Sequence, residues 1–391
     1  MRKIFIVIGF LIAFAGCKTD KGFIEKSDVF IGGTEGSAFY RIPSLVTTNK
    51  GTLIAVCDAR IERWNDAPNN IDLAMRRSFD NGKTWTPKKI IADYPGEEAA
   101  GDASMLVDRQ TGTIWLFFDY IVPKEGFKPE MLKDFKLAED YDKWRTIYFY
   151  AMKSDDDGET WSKPIDLTQL KKSEWDYLVA APGNGIQTKS GRLIMPTYSS
   201  RNLTISACQI ISSDDHGKTW QIGNSVGEYN GEPQIVELED GTLMMNMRQV
   251  KQKGHRMSTL SKDGGLNWSD PVNETALPEP GFGCMASFIR LSAIKKGNSK
   301  NRILFSNPAS TKGRENMTIR ISYDEGKTWR YGKVLFAGPS GYSSMTVLPD
   351  GSIGMLYETG EKSLLEKIAF ARFNVAWLTE GKDSFINFKH K

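Results

Sequence analysis

SFDNGKTW at residues 78–85 returns as SDDDGETW at 154–161, SDDHGKTW at 213–220, SKDGGLNW at 261–268 and SYDEGKTW at 322–329. These are copies of one pattern, Ser-x-Asp-x-Gly-x-Thr-Trp, and only Asn267 in the fourth departs from it. Each reads as a tight hairpin in which the Asp carboxylate accepts backbone N–H bonds, Gly takes a conformation closed to other residues, and Trp packs beneath the turn. A turn repeated in this way is scaffold rather than chemistry. Its recurrence through the chain is the mark of a modular architecture.

Strands fill the intervals. Alternating apolar segments such as 145–152 and 318–321 run into the repeats, and a second set of turns lies between them: Lys50-Gly51-Thr52-Leu53, Thr111-Gly112-Thr113-Ile114, Ser190-Gly191-Arg192-Leu193, Asp240-Gly241-Thr242-Leu243 and Asp350-Gly351-Ser352-Ile353. Two hairpins per period of about 60 residues give roughly four strands per unit, and the chain has room for about six such units. The expected fold is all-β, a six-bladed β-propeller with four-stranded antiparallel blades. Five blades carry the repeat and one does not, with closure by strands near 26–31 and 369–377. The whole of 26–386 is expected to form one domain, since 391 residues exceed an ordinary single core but not an architecture built by repetition. The one long interruption, 123–144 in blade two, is rich in Lys, Glu, Asp and Leu. It reads as a short helix or loop on the solvated surface rather than a lid over substrate.

Composition narrows the function. Lys plus Arg number 51 against 48 Asp plus Glu, a net charge of +3 that supplies no basic surface for nucleic acid. At the N-terminus Arg2 and Lys3 precede an apolar run over 4–15 and then Gly16-Cys17. That is the form of a lipoprotein signal over 1–16, with Cys17 lipidated and 17–25 a short tether. The expected location is the cell envelope or the exterior. Membrane contact is expected only through the lipid, because no later segment approaches the length of a spanning helix. Cys57, Cys208 and Cys284 sit in apolar contexts and read as buried thiols. His216, His255 and His390 match neither a zinc site nor a Ser/His/Asp triad. Neither a metal nor an organic cofactor is expected.

Tyr40-Arg41-Ile42-Pro43, placed ahead of five Asp boxes, resembles the bacterial exo-α-sialidase (neuraminidase) superfamily, whose Phe- or Tyr-Arg-Ile-Pro motif opens a six-bladed propeller. The resemblance spans nearly all of the chain after the signal. It implies that Arg41, Arg248 in Met-Asn-Met-Arg, and Arg314 in Lys-Gly-Arg-Glu-Asn bind the carboxylate of sialic acid. Guanidinium suits a planar anion because it donates paired, charge-assisted bonds. It implies that Tyr342, in Gly-Tyr-Ser-Ser, is the nucleophile, with Glu232, in Asn-Gly-Glu-Pro, as its base. A neutral phenol avoids the repulsion an anionic nucleophile would meet beside that carboxylate, but it needs a base to take its proton. Asp66 in Trp-Asn-Asp-Ala-Pro matches the acid/base, Glu358 the residue that orients the first arginine, and Arg60 and Asp102 the contacts to a ring hydroxyl. Neighbouring Asp58 and Asp72 read as structural.

The implied activity is retaining hydrolysis of terminal sialic acids from glycoproteins, glycolipids or oligosaccharides, by a monomer acting on a sialylated glycan. Transfer to another sugar, or intramolecular trans-sialidase chemistry by attack of the substrate's own hydroxyl, would use the same residues. A non-catalytic sialoglycan-binding propeller is the rival of another class. It would have no need of a nucleophile paired with a base.

Overall fold

The computed structural model describes residues 21–136, 138–251 and 254–385. The expected signal segment, Cys17 and residue 386 lie outside them. Among the described residues the strands fall into six mainly antiparallel groups, five of them of four strands; in the third the inner edge is broken into Tyr177–Ala180, Gly183–Asn184 and Ile186–Gln187. The first blade holds Phe39–Thr47, Leu53–Arg60, Ile71–Ser78 and Lys89–Ala92. The second holds Ala99–Val107, Ile114–Pro123, Arg145–Ser154 and Ile165–Asp166. The last is made by 340–347, Ile353–Thr359, Lys367–Phe373 and the N-terminal strand Ile24–Ile31, which pairs Ile24 with Phe373. Both ends of the described chain therefore meet in one blade. The first strands of the blades pack side by side around the ring, and 340–347 returns beside 39–47.

Six apolar cores fill the six seams. Leu356 and Phe370 of the last blade meet Leu45 and Ala55 of the first, while Ile54 and Val56 meet Met105 and Leu116 of the second, and so on round. Sheets stacked face to face in this way bury both faces of most strands, which is why Leu53–Arg60 is buried at every position.

The Asp boxes build these seams. In the first, Asp80 accepts from the Thr84 backbone N–H (2.9 Å) and hydroxyl (2.6 Å), and the Ser78 hydroxyl donates to Asp80 and accepts from Gly82 N–H. Asn267 keeps both bonds of the missing threonine by donating Nδ2 to Asp263 at 2.8 Å. The Trp side chains do not sit merely beneath their own turns. Trp85 lies edge-on to Phe370 of the preceding blade, and Trp220 edge-on to Trp115 and Phe117. The box glycine is pressed into the same seam: Gly217 has φ +84, and a Cβ there would come 2.2 Å from Trp115. Backbone conformation and neighbour both exclude a side chain, so the repeat works as a spacer between blades as well as a turn.

Two boundaries differ from expectation. The first strand starts at Ile24, inside the expected tether, because Glu25 and Lys26 pair with Arg372 and Ala371. The closing strand stops at Phe373 rather than running to 377. Asn374 caps a short helix, Val375–Leu378, by accepting from Trp377 N–H. Between the paired residues Pro123 and Arg145 the chain leaves the second blade as a 3₁₀ turn, Pro129–Asp134, and a short helix, Ala138–Lys143.

Candidate active site

Four of the first strands carry a break in register within their opening residues: Arg41/Ser44, Gly101/Ser104, Gly231/Gln234 and Ser340/Ser343. At three of these breaks a non-glycine residue takes the left-handed region, Ile42 at φ 58, Asp102 at φ 57 and Glu232 at φ 41. Bulges re-aim side chains that a regular strand would send into a sheet face, and strained backbone of this kind gathers at functional sites. The ring thus turns Arg41, Asp102, Glu232 and Tyr342 out of the strand pattern at neighbouring places.

Glu358 ties two of these strands together. Fully buried, it accepts Arg41 Nε (3.2 Å) and Ile42 N–H (2.9 Å) on Oε1, and Arg41 Nη2 (3.3 Å) and Tyr342 N–H (2.9 Å) on Oε2. Burial alone would raise its pKa, but the Arg41 charge and the two backbone donors hold the carboxyl below its ordinary range. Gly341 makes this approach possible, since a Cβ on it would lie 2.1 Å from Oε2.

Around Tyr342 the three arginines converge. Its hydroxyl donates to Glu232 Oε1 and accepts from Arg248 Nη1 at 2.9 Å, while the same Nη1 donates to Glu232 Oε1 at 2.6 Å. Arg248 Nε is fixed on the Phe282 carbonyl at 3.0 Å. The guanidinium carbons of Arg41 and Arg314 stand 5.5 and 5.3 Å from the phenol ring centre. The ring itself rests on Ile42, Cys284 and Met285. Burial and the Glu232 charge push the phenol's pKa up against the pull of Arg248 and Arg314, so the group is a neutral phenol already aimed at a carboxylate.

Asp66 projects from the loop after Leu53–Arg60, with its side chain 61% exposed. Arg60 Nη2 donates to it at 2.8 Å and Arg41 Nη1 lies 4.0 Å away. Desolvation works to raise its pKa, but Arg60, Arg41 and Arg145 outweigh it and hold the carboxyl well below the usual range. Two neighbours are driven the other way. Desolvation and the Asp66 charge push Asp58 up against the pull of Arg60, and desolvation with the charges of Asp58, Asp66 and Glu232 pushes Asp102 up. Asp58 accepts Arg60 Nη2 and the Asp102 N–H, each at 3.1 Å, which makes it the structural carboxylate expected. Arg60, 1% exposed, is enclosed by Asp58, Asp66 and the Trp64 carbonyl.

The structure therefore brings Arg41, Arg248, Arg314, Tyr342, Glu232, Glu358, Asp66, Arg60 and Asp102 into one place, whereas Cys17 lies outside the described residues. Sequence reasoning found no aromatic acceptor clamp here, yet Trp64 and Phe282 stand 53% and 62% exposed beside Arg60 and Arg248. It also passed over Arg145, which no motif marks. Among the described residues no group of three or more His, Cys, Asp or Glu could hold a metal ion. Cys57, Cys208 and Cys284 are buried and free, as expected.

Known proteins resemble this chain in sequence and in fold. A BNR repeat-like domain model matches residues 51–355. The chain is 36% identical over 339 residues to a sialidase of Bacteroides fragilis, covering 84% of this chain and 61% of that one. It is 32% identical over 372 residues to an exo-alpha-sialidase of Aspergillus fumigatus, covering 88% and 86%. Among solved structures, the Hadza microbial sialidase Hz136 superposes with a TM-score of 0.77 at 35% identity, over 88% of this chain and 67% of the other.

Proposed function

This chain belongs to the sialidase family, and from that premise we propose that it is a retaining exo-α-sialidase acting on terminal sialic acids of glycans. The observation that carries the reading is the buried Tyr342–Glu232 hydrogen bond set among three guanidinium groups. A binding site for a carboxylate needs the arginines. It does not need a phenol whose proton is already directed to a base.

The chemistry follows from the placement. Arg41, Arg248 and Arg314 hold the carboxylate on C2 of the sugar, with Arg41 kept in position by Glu358. Asp66 gives its proton to the glycosidic oxygen as the C2–O bond breaks. Tyr342 Oη bonds to C2 while its proton passes to Glu232. In the second step Asp66, now a carboxylate, takes a proton from water as the water oxygen bonds to C2. The C2–O bond to Tyr342 breaks and Glu232 returns the proton to the phenolate. Two displacements on one carbon return the starting anomer.

Incubation of the protein with sialyllactose, followed by proton NMR from the first minutes, tests this. Free sialic acid should appear first as the α-anomer. A folded protein that releases nothing would refute the reading, and an anhydro product would replace hydrolysis by intramolecular transfer.

We also propose export and lipid anchoring at Cys17, supported by Arg2-Lys3, the apolar run over 4–15 and Gly16-Cys17. Metabolic labelling with a fatty acid should mark the protein and fail on Cys17→Ser. Label retained in that variant would end the proposal.

A further inference from the structure

Asp66 presents a mechanical problem: its carboxylate is largely exposed and sits in a loop, yet proton transfer needs it within hydrogen-bond reach of a leaving oxygen. Within the loop, Asn69 Nδ2 ties the Arg63 and Asn65 carbonyls (3.1 and 2.8 Å), and Arg60 holds the Trp64 carbonyl. The remaining supports come from outside. Asn65, just before Asp66, donates Nδ2 to the Tyr141 hydroxyl at 3.0 Å. Ala67, just after it, offers its carbonyl to Arg145 Nη1 at 3.0 Å. Both partners belong to the excursion from the second blade or to its return.

Those partners are themselves fixed. Arg145 opens the strand Arg145–Ser154, where it pairs with Pro123, and Asp142 accepts from both its Nε (2.8 Å) and its Nη2. Asp142 is 3% exposed and also hydrogen-bonds the Tyr177 phenol. The Tyr141 ring meets Phe135 edge-on at 5.1 Å, and the base of the excursion is closed by Lys124 N–H on the Trp144 carbonyl at 2.9 Å. The excursion that reads in sequence as solvated surface is therefore built against the Asp66 loop.

We propose that residues 139–145, at the close of the excursion, are a clamp that positions Asp66 for proton transfer, with Tyr141 and the Asp142–Arg145 pair as its positioning residues. The clamp grips the backbone on either side of Asp66 and leaves the carboxylate itself free to meet the leaving oxygen. Arg145 has an electrostatic share as well. The cations facing Asp66 are Arg60, Arg41 and Arg145, and the carboxyl groups facing it are Asp58 and Asp102. Arg145 is the one of these three cations that neither binds Asp66 directly nor lies among the three carboxylate-binding arginines. This inference rests on the reading of Asp66 as the proton donor.

Leaving-group dependence separates a positioning role from a structural one. Sialyllactose needs its leaving oxygen protonated, whereas a methylumbelliferyl sialoside leaves as a stabilised phenolate and needs little help. For Tyr141→Phe and Arg145→Met we expect kcat/KM, which reports the step that expels the leaving group, to fall about tenfold or more on sialyllactose. On the aryl sialoside the loss should stay within about threefold, which also reports that the variants fold. The alkaline limb of kcat/KM should move to higher pH in Arg145→Met, where a cation facing the acid is lost. It should move to lower pH in Asp142→Asn, where the Arg145 charge is left unopposed. Equal losses on both substrates, or limbs that move the same way in the two charge variants, would overturn the clamp. Inactivity of the parent protein on both substrates would instead overturn the sialidase reading beneath it.

Discussion

Tyr342→Phe should lower turnover of an aryl α-sialoside by at least about a thousandfold while leaving a folded protein that still binds sialosides. The substitution removes one oxygen and nothing else. The ring remains on Ile42, Cys284 and Met285, and Glu358 still accepts the backbone N–H of residue 342, because that bond does not involve the side chain. Glu232 and Arg248 still pair directly at 2.6 Å, so no buried charge is stranded. Lost stability should therefore be about 1–2 kcal/mol, the worth of a hydroxyl bonded to charged partners, and readable as a small drop in Tm. What disappears is the atom that bonds to C2. Any remaining hydrolysis would proceed by direct attack of water on the substrate, and its first product would be the opposite anomer. Turnover within about tenfold of the parent, with the α-anomer still released first, would remove Tyr342 from the mechanism.

The scaffold was the more legible part of this sequence because its constraint is local and repeated. An Asp box closes on itself within eight residues, so the Ser78–Asp80–Thr84 bonds can be inferred from one octapeptide. The seam role of Gly217 could not, since the Trp115 ring that excludes its side chain belongs to another blade. At the site the same division holds. Arg41, Tyr342 and Glu232 stand in short motifs that resemblance can carry over. Arg145 stands in a strand where any long side chain would pair and pack, and only the return of the chain past Ala67 gives it a task. The 123–144 excursion was only partly legible for a related reason. Its charged composition suits a solvated surface, while its few anchoring side chains, Phe135, Tyr141 and Asp142, have no periodicity to expose them. The closing helix at Val375–Leu378 was hidden because 369–377 is mostly apolar, and apolar runs do not distinguish strand from helix without their cap.

Asp66→Asn should lower kcat/KM about a thousandfold on sialyllactose and only about tenfold on an aryl sialoside, because an amide cannot give a proton to the leaving oxygen and the aryl group needs little help to leave. The pH profile of the parent carries the finer information. A general acid works while it holds its proton, so its contribution is present below its pKa and lost as pH rises through it. In the free protein Arg60, Arg41 and Arg145 outweigh desolvation and hold Asp66 low, which places the alkaline limb of kcat/KM on the acid side. A bound substrate brings a carboxylate onto Arg41, neutralising one of the cations that face Asp66, and covers the exposed loop. Both effects favour the protonated acid. The alkaline limb of kcat, which reports the complex, should therefore lie at higher pH than that of kcat/KM, and Asp66→Asn should abolish both limbs. Coincident limbs in the parent would mean that substrate leaves the acid's surroundings unchanged. The three arginines would then act on binding alone, and the coupling between carboxylate recognition and proton transfer through Arg41 would have to be abandoned.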